Sequence, residues 1–508
     1  MRALDSNADF YQVNTWRAAP WLVDAFCIGG LVISALIALL WNYQGLPMQY
    51  WDESRNANNA LEMALGSGWL VPTYEGVPDH WNTKPPLLIW LIAGLMKLDL
   101  PPLLALRLPS ALAAAATLIM VWAAVRFGLR DRLAALIAAA LLLSSKGYTG
   151  IHGAHTGDFD TLLALFTTGY VLSVWQALAQ SGRQKIVWML STGIFLVLAV
   201  MTKGPAGFFG VVGLCLFLLL TGQVLNVIND WRWWLVAIFS CLICASYYIV
   251  RESYDAGYLQ AVWMNELGGR YSETNESHYK GTWFYLRELL KQWVPGCLFL
   301  LLLGYSLLGA DVARKRLAQI TFLSGAGILI LLTTAKTQLH WYLIPVIPLL
   351  CIAAAIALVD AIKKGMQVPI NYWRAFLVMF IALPVIISVF RNAISLPAKS
   401  KDKTHISQYG ILFNHLHTAG RMSNRIIVLD DGADNTAGFT DYNPELKFYA
   451  QLEKQKGIDV QVARLADANL VNGLVATCDY KNMVTVRQLI TAPLVESAVC
   501  VAGYKDRQ

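Results

Sequence analysis

Long apolar segments separated by short polar connections make up most of this chain. Residues 204–221, 233–250 and 317–334 are each long enough to cross a bilayer, which requires about 20 apolar residues in a helix. The Asp99 to Pro102 segment interrupts one apolar region, so the pattern predicts eleven to thirteen spans, odd in number. The predicted transmembrane segments are 21–41, 86–98 with 103–125, 133–146, 161–179, 186–201, 204–221, 233–250, 293–310, 317–334, 341–359 and 373–390.

The composition strengthens this interpretation. Of the 508 residues, 56% are hydrophobic and 14% are charged. The mean hydropathy is +0.47. A soluble protein carries roughly a quarter charged residues, so the chain is predicted to be a polytopic helical membrane protein. The net charge of +7 does not indicate nucleic-acid binding, because the basic residues lie mainly in short connections.

The orientation follows from the basic connections, which alternate along the chain and are predicted to be cytoplasmic. An odd number of spans then places the C-terminal tail on the opposite side, together with the segments 42–85, 147–160, 202–204, 251–292 and 335–340. The basic residues are Arg126, Arg130, Arg132, Arg183, Lys185, Arg314, Lys315, Arg316, Lys363, Lys364 and Arg374.

The tail differs from the rest of the chain in composition. Residues 426–431 and 460–465 are strand-like, and residues 445–455 are helix-like. Strands alternating with helices are typical of an α/β domain. The chain is therefore predicted to divide into a transmembrane domain over 1–391 and a small soluble α/β domain over 392–508.

Two of the eight cysteines also distinguish the tail. Six lie in apolar runs, where a thiol is most simply a small apolar side chain. Cys478 and Cys500 lie in the polar tail instead. They can form a disulfide if the tail faces an oxidising compartment, or either can be a buried thiol.

Ionisable residues concentrate in the connections on the predicted non-cytoplasmic side. Individually they have ordinary explanations: Asp52 with Glu53 can cap a helix that begins near Ser54, Lys84 can extend to lipid head groups, and His278 can be a surface histidine. Their convergence from five connections favours a site, because charges at membrane depth are costly and mark substrate paths. The group includes Asp52, Glu53, Arg55, Glu62, Asp79, His80, Lys84, His152, His155, Asp158, Asp160, Lys203, Glu266, Arg270, His278, Lys280, Lys336, His340 and Tyr342.

Such a mixture of basic and acidic groups suits one kind of chemistry. Lysine and arginine bind phosphate, while a carboxylate removes the proton from an attacking hydroxyl. A phosphate bound at the membrane is a lipid phosphate. Lys84, directly before Pro85-Pro86 and an apolar helix, is predicted to hold the anionic leaving group of a lipid-linked substrate.

Several linked motifs resemble a known family. WDESRNANNALEMALGSGWLVP (51–72) and HWNTKPPLLIWLIAGLMKL (80–98) are similar to the first extracytoplasmic loop of the aminoarabinose transferases and protein mannosyltransferases. These are glycosyltransferases of the GT-C class that use polyprenyl-phosphate sugars. The resemblance covers residues 45–350 and continues through RLPSALAA (107–114), GDFDTLLALF (157–166), TKGP (202–205), NELGGRYSETNESHYKGTWFYL (265–286) and KTQLHWYLIPVIP (336–348).

The resemblance implies roles for individual residues. Asp52 matches the family's acceptor-activating base, and Asp158 or Asp160, with Asp158 preferred, matches a second aspartate. The implied phosphate ligands are Lys84, Lys203, Arg270 and Tyr342. The remaining predicted substrate-binding residues are Glu53, Arg55, His278 and Lys336.

The chain departs from the family at one position. Aminoarabinose transferases usually carry Glu directly before the lysine of the paired prolines, and the resemblance implies that this Glu binds a metal together with a histidine matching His278. Here the position is Thr83, which is a poor metal ligand. The departure puts both a divalent cation and an aminoarabinose substrate in doubt, although Asp79 or His80 could substitute.

The sequence therefore predicts a GT-C fold with a small C-terminal α/β domain, in the inner membrane and with its active site facing the periplasm. The predicted activity is transfer of one sugar from a polyprenyl-phosphate donor to an extracytoplasmic lipid such as lipid A. A protein or another glycan is the alternative acceptor. A secondary transporter of an anionic solute is the alternative from another class; it predicts ionisable residues near mid-membrane, whereas here they lie at one face.

Overall fold

Apolar helices make up most of the structure, a computed structural model that describes residues 20–40, 43, 46–272, 279–292, 312–365, 409–419, 423–431, 443–464, 473–497 and 499–505. In chain order, the first part contains α1 (Pro20–Leu40), α2 (Asp52–Leu65), the strands β1 (Thr73–Tyr74) and β2 (Val77–Pro78), α3 (Leu87–Lys97), α4 (Pro102–Gly128), α5 (Arg132–Ser144), α6 (Lys146–Thr149), α7 (Asp160–Ala179), α8 (Gly182–Lys203), α9 (Phe209–Leu220), α10 (Val224–Ile228), α11 (Trp231–Tyr254), α12 (Tyr258–Val262), a π-helix (Trp263–Ser272), α13 (Phe284–Gln292), α14 (Val312–Thr334) and α15 (Ile347–Gly365).

The described chain is that of a multi-pass membrane protein. Shorter apolar segments accompany the long ones at Leu22–Ile33, Leu87–Lys97, Arg132–Ser144 and Ile347–Asp360. The predicted spans at 293–310 and 373–390 lie outside the described residues. Five described stretches are long and apolar enough to cross a bilayer, and all five match predicted spans: Pro102–Gly128, Asp160–Ala179, Gly182–Leu220, Trp231–Tyr254 and Val312–Thr334.

The region that was ambiguous in sequence, 86–125, divides into two unequal helices. The eleven residues of α3 extend about 16 Å, roughly half the hydrocarbon thickness, whereas the 27 residues of α4 extend about 40 Å. Between them Asp99 has a left-handed φ of +59°, and Pro102 begins α4 at a position where its missing N–H costs nothing. Because α3 is too short to cross the hydrocarbon layer, the membrane crossing in this region belongs to α4.

The chain reverses direction directly after Lys203. Gly204 has a φ of +57°, which a residue with a Cβ adopts only at a cost, and Gly204–Phe208 form a 3₁₀ turn. This turn breaks the stretch Gly182–Leu220 into α8 and α9, in agreement with the two spans predicted there. Lys203 therefore lies at the end of a transmembrane helix, at one face of the helical domain.

The predicted span at 341–359 begins later than expected. Residues His340–Leu343 form a 3₁₀ turn, and the regular helix starts at Ile347. Pro345 and Pro348 explain the difference, because proline disfavours helical geometry in the residue before it and is tolerated only in the first turn of a helix. His340 and Tyr342 consequently lie in a loop rather than within a span.

Close packing and lipid-facing surfaces both appear among the helices. α9 meets α14 at a pair of glycines: a Cβ on Gly213 would lie 2.1 Å from the Leu323 carbonyl oxygen, so the two backbones approach as closely as small residues permit. α11 packs on α8 and exposes Phe239, Leu242 and Ile243 on its other side, as expected of a helix that contacts lipid.

The C-terminal part forms an α/β unit. Its helices are α16 (Tyr409–Thr418), α17 (Pro444–Gln455) and α18 (Tyr480–Leu489), and its strands are β3 (Arg425–Leu429), β4 (Asp459–Ala463), β5 (Leu474–Thr477), β6 (Ile490–Glu496) and β7 (Val501–Lys505). The sheet order is β4-β3-β5-β7-β6, with β3 parallel to β4 and β5, and β7 antiparallel to its neighbours. The fold-class prediction is confirmed for this unit, and Cys478 is bonded to Cys500.

This unit lies directly against the first loop of the membrane domain. The side-chain amide of Asn58 on α2 donates to the Pro444 carbonyl at 2.7 Å, and this contact is buried. The Lys447 ammonium lies 2.6 Å from a Glu75 carboxylate oxygen. The start of α17 thus forms a wall beside α2, the helix that begins with Asp52. The predicted domain boundary at 391–392 lies outside the described residues.

Candidate active site

Asp52 is the first residue of α2 and remains accessible. The residue that caps the helix is Trp51, and it makes no side-chain capping bond, so Asp52 does not serve as the N-cap. A carboxylate in the first turn is nevertheless favoured by the helix dipole. About 30% of the Asp52 side chain is exposed, and one of its oxygens, Oδ2, lies 3.9 Å from His152 Nδ1.

The loop before α7 brings two more groups to Asp52. His152 has a left-handed φ of +61°, and its N–H donates to the Thr156 hydroxyl at 2.8 Å. That hydroxyl donates to Asp158 Oδ2 at 2.6 Å, and the Ser110 hydroxyl of α4 donates to the Asp158 carbonyl at 2.9 Å. His152 Nδ1 lies 3.4 Å from Asp158 Oδ2, so the imidazole stands between two carboxylates.

Charge and burial oppose one another at this imidazole. Burial alone would lower the pKa of His152, but Asp158, Asp52 and Asp160 together raise that pKa to about 9. In turn, burial would raise the pKa of Asp158, and the neighbouring His152 holds it below its usual value. The loop therefore presents a charged imidazolium beside an ionised Asp158 at neutral pH.

Glu53, predicted to bind substrate, is engaged in a different contact. Its side chain is fully buried, and Arg107 of α4 donates to it through Nε at 2.7 Å and Nη2 at 3.0 Å. The remaining donors are the backbone N–H groups of Gly157 at 3.0 Å and Gln49 at 2.8 Å. Both carboxylate oxygens thus accept from protein groups, and through these contacts Glu53 organises the loop.

Arg55, also predicted to bind substrate, contacts protein groups in the first loop. Its Nε and Nη2 donate to the two Asp79 oxygens at 2.8 and 2.9 Å, and its guanidinium stacks 3.5 Å above the Tyr74 ring. Burial would raise the pKa of Asp79, but Arg55 holds it below its usual value. Asp79 further accepts from the backbone N–H groups of Trp81 and Asn82 at 3.0 and 3.1 Å. The pair shapes the 73–84 loop that leads to Lys84.

Lys84 is buried at the entrance of α3, where the sequence placed a cation. Its ammonium lies 3.6 Å from a Glu266 oxygen, 5.3 Å from the centre of the Phe159 ring and 5.9 Å from that of Trp81. Glu266 belongs to the π-helix and also accepts from the Thr83 hydroxyl at 3.2 Å. Lysines are rarely buried without an anion, so the position is built for charge.

Lys203 lies at the polar end of a cavity of about 140 Å³ between α7, α9 and α14. Its ammonium is 2.5 Å from Asp160 Oδ1 and 4.7 Å from the centre of the Tyr342 ring. Glu266 lines the same cavity, which connects it to the surroundings of Lys84. The rest of the lining is largely apolar and includes Phe209, Ile328, Leu331 and Leu332.

Three other predicted residues are placed less completely. Lys336 is exposed, although its neighbours Ala335 and Thr337 line the cavity. The backbone of Arg270 lies in the π-helix, but its side chain is outside the described part of the chain, as is all of His278. Their predicted contacts with substrate remain predictions.

Of the two residues that the resemblance associates with a metal, Thr83 is a poor ligand. Thr83 offers a hydroxyl that already donates to Glu266, and His278 is not described. Among the described residues, Asp52, His152 and Asp158 form the group whose ligand-type atoms all lie within 4.8 Å of one another. No step of the chemistry below is assigned to a metal.

Sequence reasoning passed over three residues of this site. His152 and Glu266 stood among the polar residues of the loops without an assigned role, because their importance depends on which side chains face them. Arg107 lies inside a predicted span, and a charge within a span is itself a signal of a functional or structural site. That signal was present in the sequence and would have identified Arg107.

Comparison with known proteins agrees with this architecture. Residues 83–250 match the family model described as dolichyl-phosphate-mannose-protein mannosyltransferase. The chain is 24% identical over 324 residues to undecaprenyl phosphate-alpha-4-amino-4-deoxy-L-arabinose arabinosyl transferase 2 of Pseudomonas fluorescens, which covers 63% of this chain and 54% of that protein. The corresponding Pseudomonas aeruginosa enzyme is 24% identical over 323 residues, 63% of this chain and 57% of that protein. The chain thus spans little more than half the length of these curated relatives.

Solved structures share the fold at low identity. ArnT from Cupriavidus metallidurans, bound to undecaprenyl phosphate, superposes with a TM-score of 0.68 at 17% identity over 96% of this chain and 100% of that one. The Archaeoglobus fulgidus oligosaccharyltransferase gives 0.51 at 14% identity over 89% and 66%. The chain has the fold of the GT-C membrane proteins. Within that class, its sequence relates it to the aminoarabinose transferases and the protein mannosyltransferases.

Proposed function

We propose that this chain is a membrane glycosyltransferase that moves one sugar from a polyprenyl-phosphate donor to an extracytoplasmic acceptor. The observation that carries the proposal is the cavity between α7, α9 and α14, with the Lys203 ammonium at its polar end and apolar side chains along the rest. A polyprenyl phosphate has the same two parts, an anionic head and a hydrocarbon chain. Lys84, joined to this cavity through Glu266, supplies a second cation.

The reacting groups follow from this placement. The acceptor hydroxyl forms a bond to the anomeric carbon, the bond from that carbon to the phosphate oxygen breaks, and Asp52 takes the hydroxyl proton. The polyprenyl phosphate leaves with the bonding electrons, and Lys84 and Lys203 stabilise its charge. The partial exposure of Asp52 supports its role as the base, because a base must reach the acceptor.

Other residues complete the donor site in this proposal. Tyr342 fixes the Lys203 ammonium by its ring contact. Arg270 is proposed as a further phosphate ligand, and His278 and Lys336 as substrate-binding residues, on the family resemblance. Glu53 and Arg55 contribute indirectly by shaping the loops that hold Asp52 and Lys84.

The acceptor class is supported by the relatives and by the C-terminal unit. The relatives named for aminoarabinose transfer favour a lipid such as lipid A, and the wall that α17 forms beside α2 supplies a surface for a bulky lipid head group. The family model is described by a protein mannosyltransferase, which favours a protein or another glycan as the second candidate.

The proposed orientation has the site and the C-terminal unit facing the periplasm from the inner membrane. The Cys478–Cys500 disulfide supports this side, since such bonds persist in oxidising compartments. Arg126 and Arg132 pair with Asp24 near the opposite ends of their helices, consistent with a basic cytoplasmic face.

The test is direct transfer by the full-length protein in lipid nanodiscs, supplied with polyprenyl-phosphate sugars and lipid A, peptide or glycan acceptors. Product formation with release of polyprenyl phosphate supports the proposal; no transfer and no polyprenyl-phosphate binding overturns it. Lys203→Ala is expected to weaken polyprenyl-phosphate binding by about 1.5–3 kcal/mol. Lys185→Ala is the matched control, because Lys185 also pairs with an aspartate, at 2.7 Å from Asp230, away from the cavity.

A further inference from the structure

The imidazole of His152 joins elements that are distant in sequence. It lies 3.9 Å from Asp52 on α2 and 3.4 Å from Asp158 before α7, and it stacks on Trp341 with 3.9 Å between ring centroids and an interplanar angle of 20°. The two carboxylates approach the same ring nitrogen, Nδ1. Nothing in the motifs of the chain assigns this histidine a role.

The local backbone fixes the imidazole firmly. A left-handed φ of +61° is uncommon for a residue with a side chain, and the hydrogen bond from the His152 N–H to the Thr156 hydroxyl stabilises this backbone conformation. The turn is tightly packed: a Cβ on Gly153 would lie 2.3 Å from the Tyr148 carbonyl oxygen, and one on Gly157 would lie 2.6 Å from Leu106. Residues that their surroundings hold in such unfavourable backbone conformations are concentrated at functional sites.

Titratable side chains surround His152 from four parts of the chain. Asp52 comes from α2, Asp158 from the loop, Asp160 from the start of α7, and His340 from the 3₁₀ turn at 6.3 Å between ring centroids. Burial and the nearby His152 lower the pKa of His340 to about 4, so that ring is neutral. His152, with its pKa raised to about 9, is then the cation between Asp52 and Asp158, while Lys203 pairs with Asp160.

We propose that His152 is a positioning residue for Asp52, its charge attracting one oxygen of that carboxylate so that the other faces the acceptor hydroxyl. The inference rests on the proposed function. Without a cation between them, the Asp52 and Asp158 carboxylates would repel each other, and the Asp52 side chain would turn away from the acceptor position. A misplaced base slows the chemical step while leaving donor binding intact, because the donor phosphate is bound elsewhere, by Lys84 and Lys203.

The decisive variant is His152→Gln, which retains a hydrogen-bonding side chain and loses the charge. Turnover is expected to fall about 10²-fold, as misplacement of a reacting group by about 1 Å does, with the KM for the donor unchanged within about twofold. The acid limb of the kcat profile is expected to move to higher pH, since His152 holds the pKa of the neighbouring Asp158 down and its loss favours protonation of that carboxylate beside the base. A merely structural role would lower activity without moving that limb. His415→Gln, an exposed histidine on α16, is the control and should behave as the parent.

The outcomes separate this inference from the proposed function. If the parent transfers no sugar, the proposed function fails first. If the parent is active and His152→Gln keeps its turnover and pH profile, the positioning role is wrong. Should His152→Gln not fold, as judged by lost polyprenyl-phosphate binding, Trp341→Ala removes the stacking partner and should lower kcat in the same way, while Trp341→Phe keeps it. One outcome would overturn the proposal in favour of metal binding. In that outcome a chelator abolishes the activity of the parent and a divalent cation restores it, whereas the residual activity of His152→Gln responds to neither.

Discussion

Glu53 and Arg107 form a closed ion pair between the first loop and α4, with 2.7 Å from Arg107 Nε to Glu53 Oε1 and at most 2% of either side chain exposed. The same guanidinium donates to the backbone carbonyls of Tyr43, Leu46 at 2.9 Å and Pro47 at 3.2 Å. Because Glu53 directly follows Asp52, the pair fixes the point at which α2 begins. The carboxylate therefore stabilises the loop that carries Asp52.

Removing this anion should destabilise the protein. In Glu53→Gln, Arg107 keeps its charge without a compensating anion in a buried place, and breaking one side of such a pair costs about 3–5 kcal/mol. We expect a clearly lower thermal unfolding temperature of the protein in detergent, measured by fluorescence. Glu496→Gln removes the anion of an exposed pair with Arg487 and should cost about 0–1 kcal/mol. Equal unfolding temperatures for the parent and Glu53→Gln would contradict the role assigned to the pair.

Glu266 should oppose donor binding. Its carboxylate neutralises Lys84 at 3.6 Å, so a lipid phosphate has to compete with it for the same ammonium. In Glu266→Gln that competition is lost, and we expect polyprenyl phosphate to bind about fivefold more tightly, on the order of 1 kcal/mol. Equilibrium binding of a labelled polyprenyl phosphate in nanodiscs measures the change.

The control for this prediction lies nearby. Glu252 accepts from the backbone N–H groups of Gly257 at 2.9 Å and Leu259 at 2.7 Å, so Glu252→Gln alters a carboxylate near the same long loop without altering the surroundings of Lys84. Unchanged or weaker binding in Glu266→Gln would mean that Lys84 does not contact the phosphate.

The helices and the sheet were the predictable part of this fold, for a physical reason. A bilayer demands apolar length, so α7, α11 and α14 follow directly from runs of hydrophobic residues. Two strands of the tail follow from β-branched residues at 426–431 and 460–465, as in the Ile426–Val428 portion of β3. The strands β5, β6 and β7 were not among the predicted segments.

The contacts within the site were less predictable. Glu53 meets Arg107 across 54 positions, and Glu266 meets Thr83 across 183. Whether a carboxylate faces a ligand or an arginine depends on which helices pack together, and motif spacing does not encode that. The left-handed φ of His152 is likewise imposed by tertiary packing rather than by residue type. For that reason Glu53 was assigned to substrate and His152 was left unassigned.

The Cys478–Cys500 bond gives a prediction about the C-terminal unit. It closes a loop with a sequence separation of 22 and links the end of β5 to the start of β7. Protein taken from native membranes should show this pair as one disulfide-linked peptide in non-reducing mass mapping, and Cys478→Ser should lower the thermal stability of the unit by about 2–4 kcal/mol. Cys351→Ser, a buried cysteine of α15, is a control for thiol loss without bond loss. Finding both tail cysteines as free thiols would contradict the oxidising location.

Asp52 offers the sharpest test of the chemistry. A sugar hydroxyl is a poor nucleophile at neutral pH, and general-base assistance contributes about 10²–10⁴-fold. Asp52→Asn keeps the size and hydrogen-bonding capacity of the side chain, and because Trp51 rather than Asp52 caps α2, the helix should form as before. We expect the variant to bind polyprenyl phosphate as the parent does and to transfer sugar at least about 100-fold more slowly, measured by single-turnover kinetics with saturating donor. Asp230→Asn serves as the control and should retain turnover, because Asp230 pairs with Lys185 near the other end of the membrane helices. Asp79→Asn is less suitable, because Asp79 pairs with Arg55 in the first loop. Near-parental single-turnover rates in Asp52→Asn would remove Asp52 from the mechanism and direct attention to Asp158, the other carboxylate that meets His152.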